Sequence, residues 1–369
     1  MAKNTKAKQK SIVNDSSLLF LKNYLNNASP TGFESSGQKL WLNYIKPYID
    51  HHFVDPYGTA VGVINPDEKF KVVIEAHADE ISWFVNYITG DGLIYLKRNG
   101  GVDHQIAPGK RVIIHGKKGA VKAVFGWPAI HTRMGGGEKE TQPKVENLFL
   151  DCGARSKKEV DALGIHIGSV ATYEEGFDEL AYGYYIGRAM DNRIGGFMIA
   201  EVARLLKENK KKVPFGLYIV NAVQEEIGLR GAEMIARRIK PDVAIITDVT
   251  HDTTTPMINK MIEGDVACGK GPSLAYGPAV HNKLLDVVQK IAEDKKIPVQ
   301  LRAVSRSTGT DTESFAYAND GCPSVLISIP LRYMHTTVEM LHKEDIENTI
   351  RLMYETLLTL TPKTKLSYF

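Results

Sequence analysis

From Gly183 onward the chain alternates runs of helical period with short β-branched runs, and this alternation leaves few architectures open. DNRIGGFMIAEVARLLKEN (191–209) reads as a helix, FGLYIVNAV (215–223) as a strand, GAEMIARRI (231–239) as a helix and VAIITDV (243–249) as a strand. HNKLLDVVQKIAEDKKI (281–297) is helical again, VQLRAV (299–304) and SVLISIP (324–330) read as strands, and KEDIENTIRLMYETLLTL (343–360) as a closing helix. Parallel strands need long crossovers, which helices supply, so the expected fold is a layered α/β domain with a mainly parallel sheet.

The N-terminal part joins the same pattern. Two amphipathic helices are expected after Ser17, divided by the turn at Ser29, Pro30, Thr31 and Gly32. AVGVI (60–64) and FKVVIEAHADEISWFV (70–85) then read as two strands of a hairpin. Between 86 and 183 helical periodicity nearly vanishes: runs such as RVIIHG (111–116) and GAVKAVFGW (119–127) alternate with Gly and Pro turns, the mark of a small all-β module. MGGGEKETQPK (134–144) is expected to be an exposed, flexible loop of that module. The organisation is thus a flexible tail (1–16) and one α/β domain (17–85 and 184–369), interrupted by a β insert (86–183).

Composition narrows the function class. The 46 Lys and Arg against 43 Asp and Glu give a net charge of +3, too small to favour nucleic acid or a membrane surface as partner. The three cysteines, Cys152, Cys268 and Cys322, are odd in number and widely spaced, which argues against a disulfide framework and for a reducing cytoplasm. The basic N-terminus lacks the apolar core of a secretory signal, and no segment holds about 18 uninterrupted apolar residues.

In sheets of this kind ligands bind beyond the carboxyl ends of the strands. There the sequence places His77 and Asp79 after KVVIEA, Glu225 and Glu226 after LYIVNAVQ, Asp248 after VAIIT, and His335 beyond VLISIPLRYM, with Asp191 at the mouth of its helix. Singly, each is more often a hydrogen-bonded structural residue or a helix cap. Together they would repel strongly unless a cation neutralised them. Oxygen and nitrogen donors without thiolate suit zinc, cobalt or manganese, and their number exceeds what one tetrahedral ion takes. Two ions about 3.5–4 Å apart, sharing a bridging carboxylate, would use them all. The paired Glu225 and Glu226 leave the backbone in different directions, so one can ligate while the other serves as a base.

The ordered motifs SPTGFE, EAHADEI, LDCGARS with ALGIHIGS, GRAMDNRIGG, AVQEEIGLRGA, ITDV, TGTDTESF and IPLRYMHTTVEM resemble the co-catalytic di-metal aminopeptidases. These are family 42 of the metallopeptidases, with its glutamyl and tetrahedral (TET) aminopeptidases, and the resemblance spans about residues 17–360. It implies a three-layer zinc-exopeptidase-like domain with a PDZ-like or β-barrel insert used for dimerisation, often within a dodecamer. It also implies that His77, Asp191 and Asp248 hold one metal and Asp191, Glu226 and His335 the other, with Asp191 the bridge. Glu225 would be the general base, Asp79 would orient His77, and the peptide after Asp191 would be cis.

The activity implied is removal of N-terminal residues from peptides. Lys260, Lys270 and Arg306 lie near motifs expected to rim the pocket and could attract an acidic first residue, Glu or Asp. Three alternatives stand beside this: an N-deacylase or carboxypeptidase on a related fold, an endoglucanase as some relatives are labelled, and a metal-stabilised scaffold without activity. Glu225 argues against the last, since a purely structural site has no use for an unligated base.

Overall fold

The computed structural model describes residues 11–133 and 142–369. Residues 1–10 of the expected tail, and most of the expected loop at 134–144, lie outside the described residues. Residues 11–16 do not behave as a tail. Ile12 and Val13 pack on the core, and the Asn14 side chain accepts the Ser17 N–H at 2.9 Å to cap the helix Asp15–Asn26.

An eight-stranded sheet forms the larger layer, in the order His51–Val54, Ala60–Ile64, Gly216–Ala222, Lys71–His77, Val243–His251, Ser324–Leu331, Ser273–Tyr276, Gln300–Ala303. The four central strands are mutually parallel and buried along nearly their whole length, which is why their sequences are continuous apolar runs. The helix Met190–Glu208 packs on the central strands and is flanked by Asp15–Asn26, Ser35–Ile45 and Lys343–Thr359. Arg230–Ile239 and Thr312–Ala316 pack together against the strands they border.

Two expectations for residues 60–85 fail. The strands Ala60–Ile64 and Lys71–His77 do not form a hairpin, because Gly216–Ala222 lies between them, antiparallel to the first and parallel to the second. The run 70–85 is not one strand either. It breaks after His77, and Ser82–Ile88 belongs to a different sheet. The break is fixed by polar groups: the Glu80 carboxylate accepts the Ser29 N–H at 2.7 Å and pairs with Arg188, so Glu80 turns inward where a continuing strand would have carried it onward.

Six strands close into a barrel in the order Ser82–Ile88, Ile94–Asn99, Phe149–Asp151, Gly119–Gly126, Arg111–Gly116, Val170–Tyr173. Closure leaves no free edge and encloses a separate core around Trp83, which meets Phe125 edge to face with ring centroids 5.3 Å apart. Among the described residues no helix is long and apolar enough to cross a membrane.

Candidate metal centre

The four central strands end on the same side, and this brings the candidate residues together. His77 is the last residue of Lys71–His77, and Asp248 lies within Val243–His251. Glu225 and Glu226 follow Gly216–Ala222, and His335 follows Ser324–Leu331. Asp191 stands at the start of Met190–Glu208, where its peptide bond to Asn192 is cis.

Asp191 is the centre of the arrangement. Its Oδ1 is 3.2 Å from His77 Nε2, and its Oδ2 is 3.3 Å from His335 Nε2. His77 Nε2 also lies 3.9 Å from Asp248 Oδ1 and 3.8 Å from Glu225 Oε2, while His335 Nε2 is 3.5 Å from Glu226 Oε2. Three donor triads result, each with its atoms within 4.8 Å of one another: His77 with Asp191 and Asp248, Asp191 with Glu226 and His335, and His77 with Glu225 and Glu226; the first two meet at Asp191.

Two further carboxylates clamp the backbone that carries these groups. Asp79 accepts the Glu225 N–H at 3.0 Å, the Glu226 N–H at 3.2 Å and the Thr31 hydroxyl at 2.9 Å, while its Oδ1 lies 3.4 Å from His77 Nδ1. Glu339 accepts the Asp191 N–H at 3.0 Å and the His335 N–H at 2.8 Å. The barrel contributes as well. The Gly101 carbonyl is 3.0 Å from His335 Nδ1, and a Cβ at that glycine would fall 2.7 Å from the same nitrogen. His335, Gln224 and Ala189 adopt positive φ, a costly conformation for residues with a Cβ, and at His335 the bonds to Glu339 and Gly101 hold it in place.

The electrostatics calls for a cation. Burial, reinforced by neighbouring carboxylates, pushes Glu225 up to about 10, Glu226 up to about 8 and Asp248 up to about 7. Glu226 Oε1 is buried without any hydrogen-bond partner. Mixed nitrogen and oxygen donors that are dry, crowded and short of counter-charge fit divalent ions of the zinc, cobalt and manganese kind.

A cleft of 490 Å³ opens onto these groups, walled also by Leu229, Val249, Met334 and the segment Thr308, Gly309 and Thr310. His251 and Arg302 line it too, and the sequence reading gave neither a role. Lys260, Lys270 and Arg306 do not line it, and Lys260 pairs with Asp265 at 2.6 Å. Thr31 and Glu339 were likewise missed as site residues. Both fall within quoted motifs, SPTGFE and IPLRYMHTTVEM, and that was the only signal of their part.

Mixed carboxylate and imidazole triads at the ends of parallel strands, in a sheet that a closed barrel interrupts, define a metal-dependent exopeptidase. The M42 glutamyl aminopeptidase family matches residues 58–352, and the chain belongs to that family. It is therefore an aminopeptidase, a hydrolase of peptide bonds, and its family implies use of divalent metal. The chain is 30% identical to the lysyl aminopeptidase of Pyrococcus furiosus, over 93% of this chain and 97% of that one. Its fold matches the TET aminopeptidase of a marine sediment archaeon of the Thaumarchaeota with a TM-score of 0.90, at 30% identity and covering 95% and 98% of the two chains. The Pyrococcus horikoshii TET1 peptidase, which can assemble into a tetrahedron or a large octahedral shell, matches with a TM-score of 0.82 at 25% identity, covering 93% and 100%.

Proposed function

We propose that this aminopeptidase works with two divalent ions per subunit, zinc in the first place with cobalt or manganese as substitutes. His77, Asp191 and Asp248 would hold one ion, and Asp191, Glu226 and His335 the other. The observation that carries this reading is Asp191, whose two oxygens face two different imidazoles as a bridging carboxylate must. When bound, the ions would polarise the scissile carbonyl and lower the pKa of the attacking water.

Glu225 is the general base. It reaches the same cluster as the ligands, yet belongs to neither of the two triads that meet at Asp191. It takes a proton from the attacking water and returns it to the leaving amine. Asp79 and Glu339 are positioning residues that hold the backbone of Glu225, Glu226, Asp191 and His335. Cleavage of the first residue accords with a cleft lined by the cluster, whose excess of negative charge would receive a free amine. A preference for Glu or Asp in that first position is part of the proposal, as are a cytoplasmic location and self-association through the barrel into a dimer or dodecamer.

Metal content per chain, measured by mass spectrometry of the elements beside hydrolysis of an aminoacyl anilide and its N-acetylated form, tests the reading. Two equivalents, with cleavage of the free amine only, are expected. One equivalent, or preferential cleavage of the acetylated form, would overturn it.

A further inference from the structure

Two consecutive acids follow the strand that ends at His77. Asp79 clamps the backbone of Glu225 and Glu226, whereas Glu80 turns to the segment that carries Asp191. That segment has to be held from outside. Where it opens the helix Met190–Glu208, Asp191 (φ −78°, ψ 112°) and Asn192 (φ −115°, ψ 35°) depart from helical geometry, and Ala189 before them is left-handed. The first turn of a helix lacks intrahelical bonds to its N–H groups in any case, so neighbouring side chains must fix the bridging carboxylate. Glu339 does so at the Asp191 N–H, and Asn192 Nδ2 donates to the Thr247 carbonyl at 2.8 Å.

Arg188 and Arg193 stand on either side of Asp191, and both are buried. The Arg188 guanidinium pairs with one Glu80 oxygen, while the other lies 3.9 Å from Arg193 Nη1 and accepts the Ser29 N–H at 2.7 Å. Arg193 Nη1 donates to the Asn27 carbonyl, and its guanidinium lies 4.2 Å from the centre of the Tyr24 ring. Gly37 leaves room for this packing, because a Cβ there would fall 2.9 Å from Ser29 Oγ and 3.0 Å from Arg193 Nη2. Among the described residues Glu80 is the one carboxylate paired with either guanidinium. Two buried cations that face a single carboxylate depend on it, since its removal leaves their charge uncompensated. Resting on the two-ion reading, we propose that Glu80 is a positioning residue for the bridging carboxylate: through Arg188 and Arg193 it fixes the Asp191 segment against the loop that follows His77. One loop thereby carries a ligand and holds two others, Asp79 the Glu226 segment and Glu80 the Asp191 segment.

The test separates positioning from folding. Zinc affinity is measured by competition with a chelator for the wild type, Glu80→Gln, the double variant Glu80→Gln with Arg188→Met, and Arg188→Lys. The unfolding midpoint of each metal-free protein is recorded beside it, with kcat and KM for leucine p-nitroanilide. In Glu80→Gln both zinc affinities are expected to fall about 10- to 100-fold, because Asp191 serves both ions, and kcat to fall while KM stays. The double variant removes a cation along with the carboxylate, so its midpoint returns towards wild type while both affinities stay low. A purely structural role would restore the two together. Arg188→Lys keeps the charge without the planar fork and is expected to lie between wild type and Glu80→Gln. Where Glu80→Gln does not fold, the other two variants carry the comparison. Wild-type affinities in any folded variant that lacks Glu80, loss of one ion only, or recovery of affinity together with the midpoint would overturn the proposal alone, as would failure of all three variants to fold. A wild type that binds fewer than two equivalents would overturn the two-ion reading and this proposal with it.

Discussion

Exchanging Glu225 for Gln keeps the volume of the side chain and removes its ability to accept a proton. On the proposed role of this residue as a base outside the triads that meet at Asp191, Glu225→Gln is expected to lower kcat by about 10²- to 10⁴-fold while metal content stays at the wild-type level. Steady-state rates and elemental analysis of one sample check both halves. Asp79 has a different signature. Asp79→Asn keeps the shape but weakens the charge-assisted bonds to the two glutamate N–H groups and the contact to His77, so metal affinity is expected to fall about 10- to 100-fold. Competition with a chelator of known affinity measures the change. The candidate ligands that the structure brings together could be read from the chain, because acids and imidazoles at strand ends are conspicuous among apolar runs. Thr31, Glu339 and Arg302 could not, since two of them act by bonding a distant segment and the third lies on an edge strand between exposed neighbours.

The regular elements were the most legible part of the fold. Apolar period sets helix and strand wherever one face is buried, and Met190–Glu208, Val243–His251 and Lys343–Thr359 lie within two residues of where the pattern put them. Strand neighbours were not legible, because Gly216–Ala222 enters between two strands that precede it by more than a hundred residues, and no local pattern encodes that choice. The elements also meet at defined contacts that can be tested. Gly101→Ala would drive a methyl against His335, so this variant is expected to lose metal at the Asp191, Glu226 and His335 triad, whereas Gly90→Ala, which has open space before it, keeps full occupancy. Metal titration followed by calorimetry compares them. Where Val243–His251 and Ser324–Leu331 end, Asp252 and Arg332 join at 2.7 Å. Burial would raise the Asp252 carboxyl, but hydrogen bonds from Thr254, the Cys268 N–H and Arg332 hold it down to about 2. A depressed carboxyl stabilises the fold above its unfolded pKa of about 3.8 and ceases to do so as pH falls towards 2. Asp252→Asn is therefore expected to cost roughly 1 kcal/mol at pH 7, after allowance for screening, and to converge on wild type near pH 2, as urea unfolding across that range would record.

At the scale of the whole molecule the acidic cluster is a destabilising feature that bound cations convert into an asset. Chelation is expected to lower the midpoint of thermal unfolding by roughly 5–10 °C, and added zinc to restore it, because a ligand bound only by the folded state stabilises by mass action. Scanning calorimetry with and without chelator is the measurement. Light scattering coupled to size exclusion addresses the assembly, with a mass above that of one 40.9 kDa chain expected. The groups that meet at Asp191 come from His77 at one extreme and Glu339 at the other, far apart along the chain. A polypeptide still emerging from the ribosome thus lacks the imidazole of His335 and the clamp of Glu339 until more than nine-tenths of its 369 residues have been made, so the complete cluster assembles only at the end of synthesis.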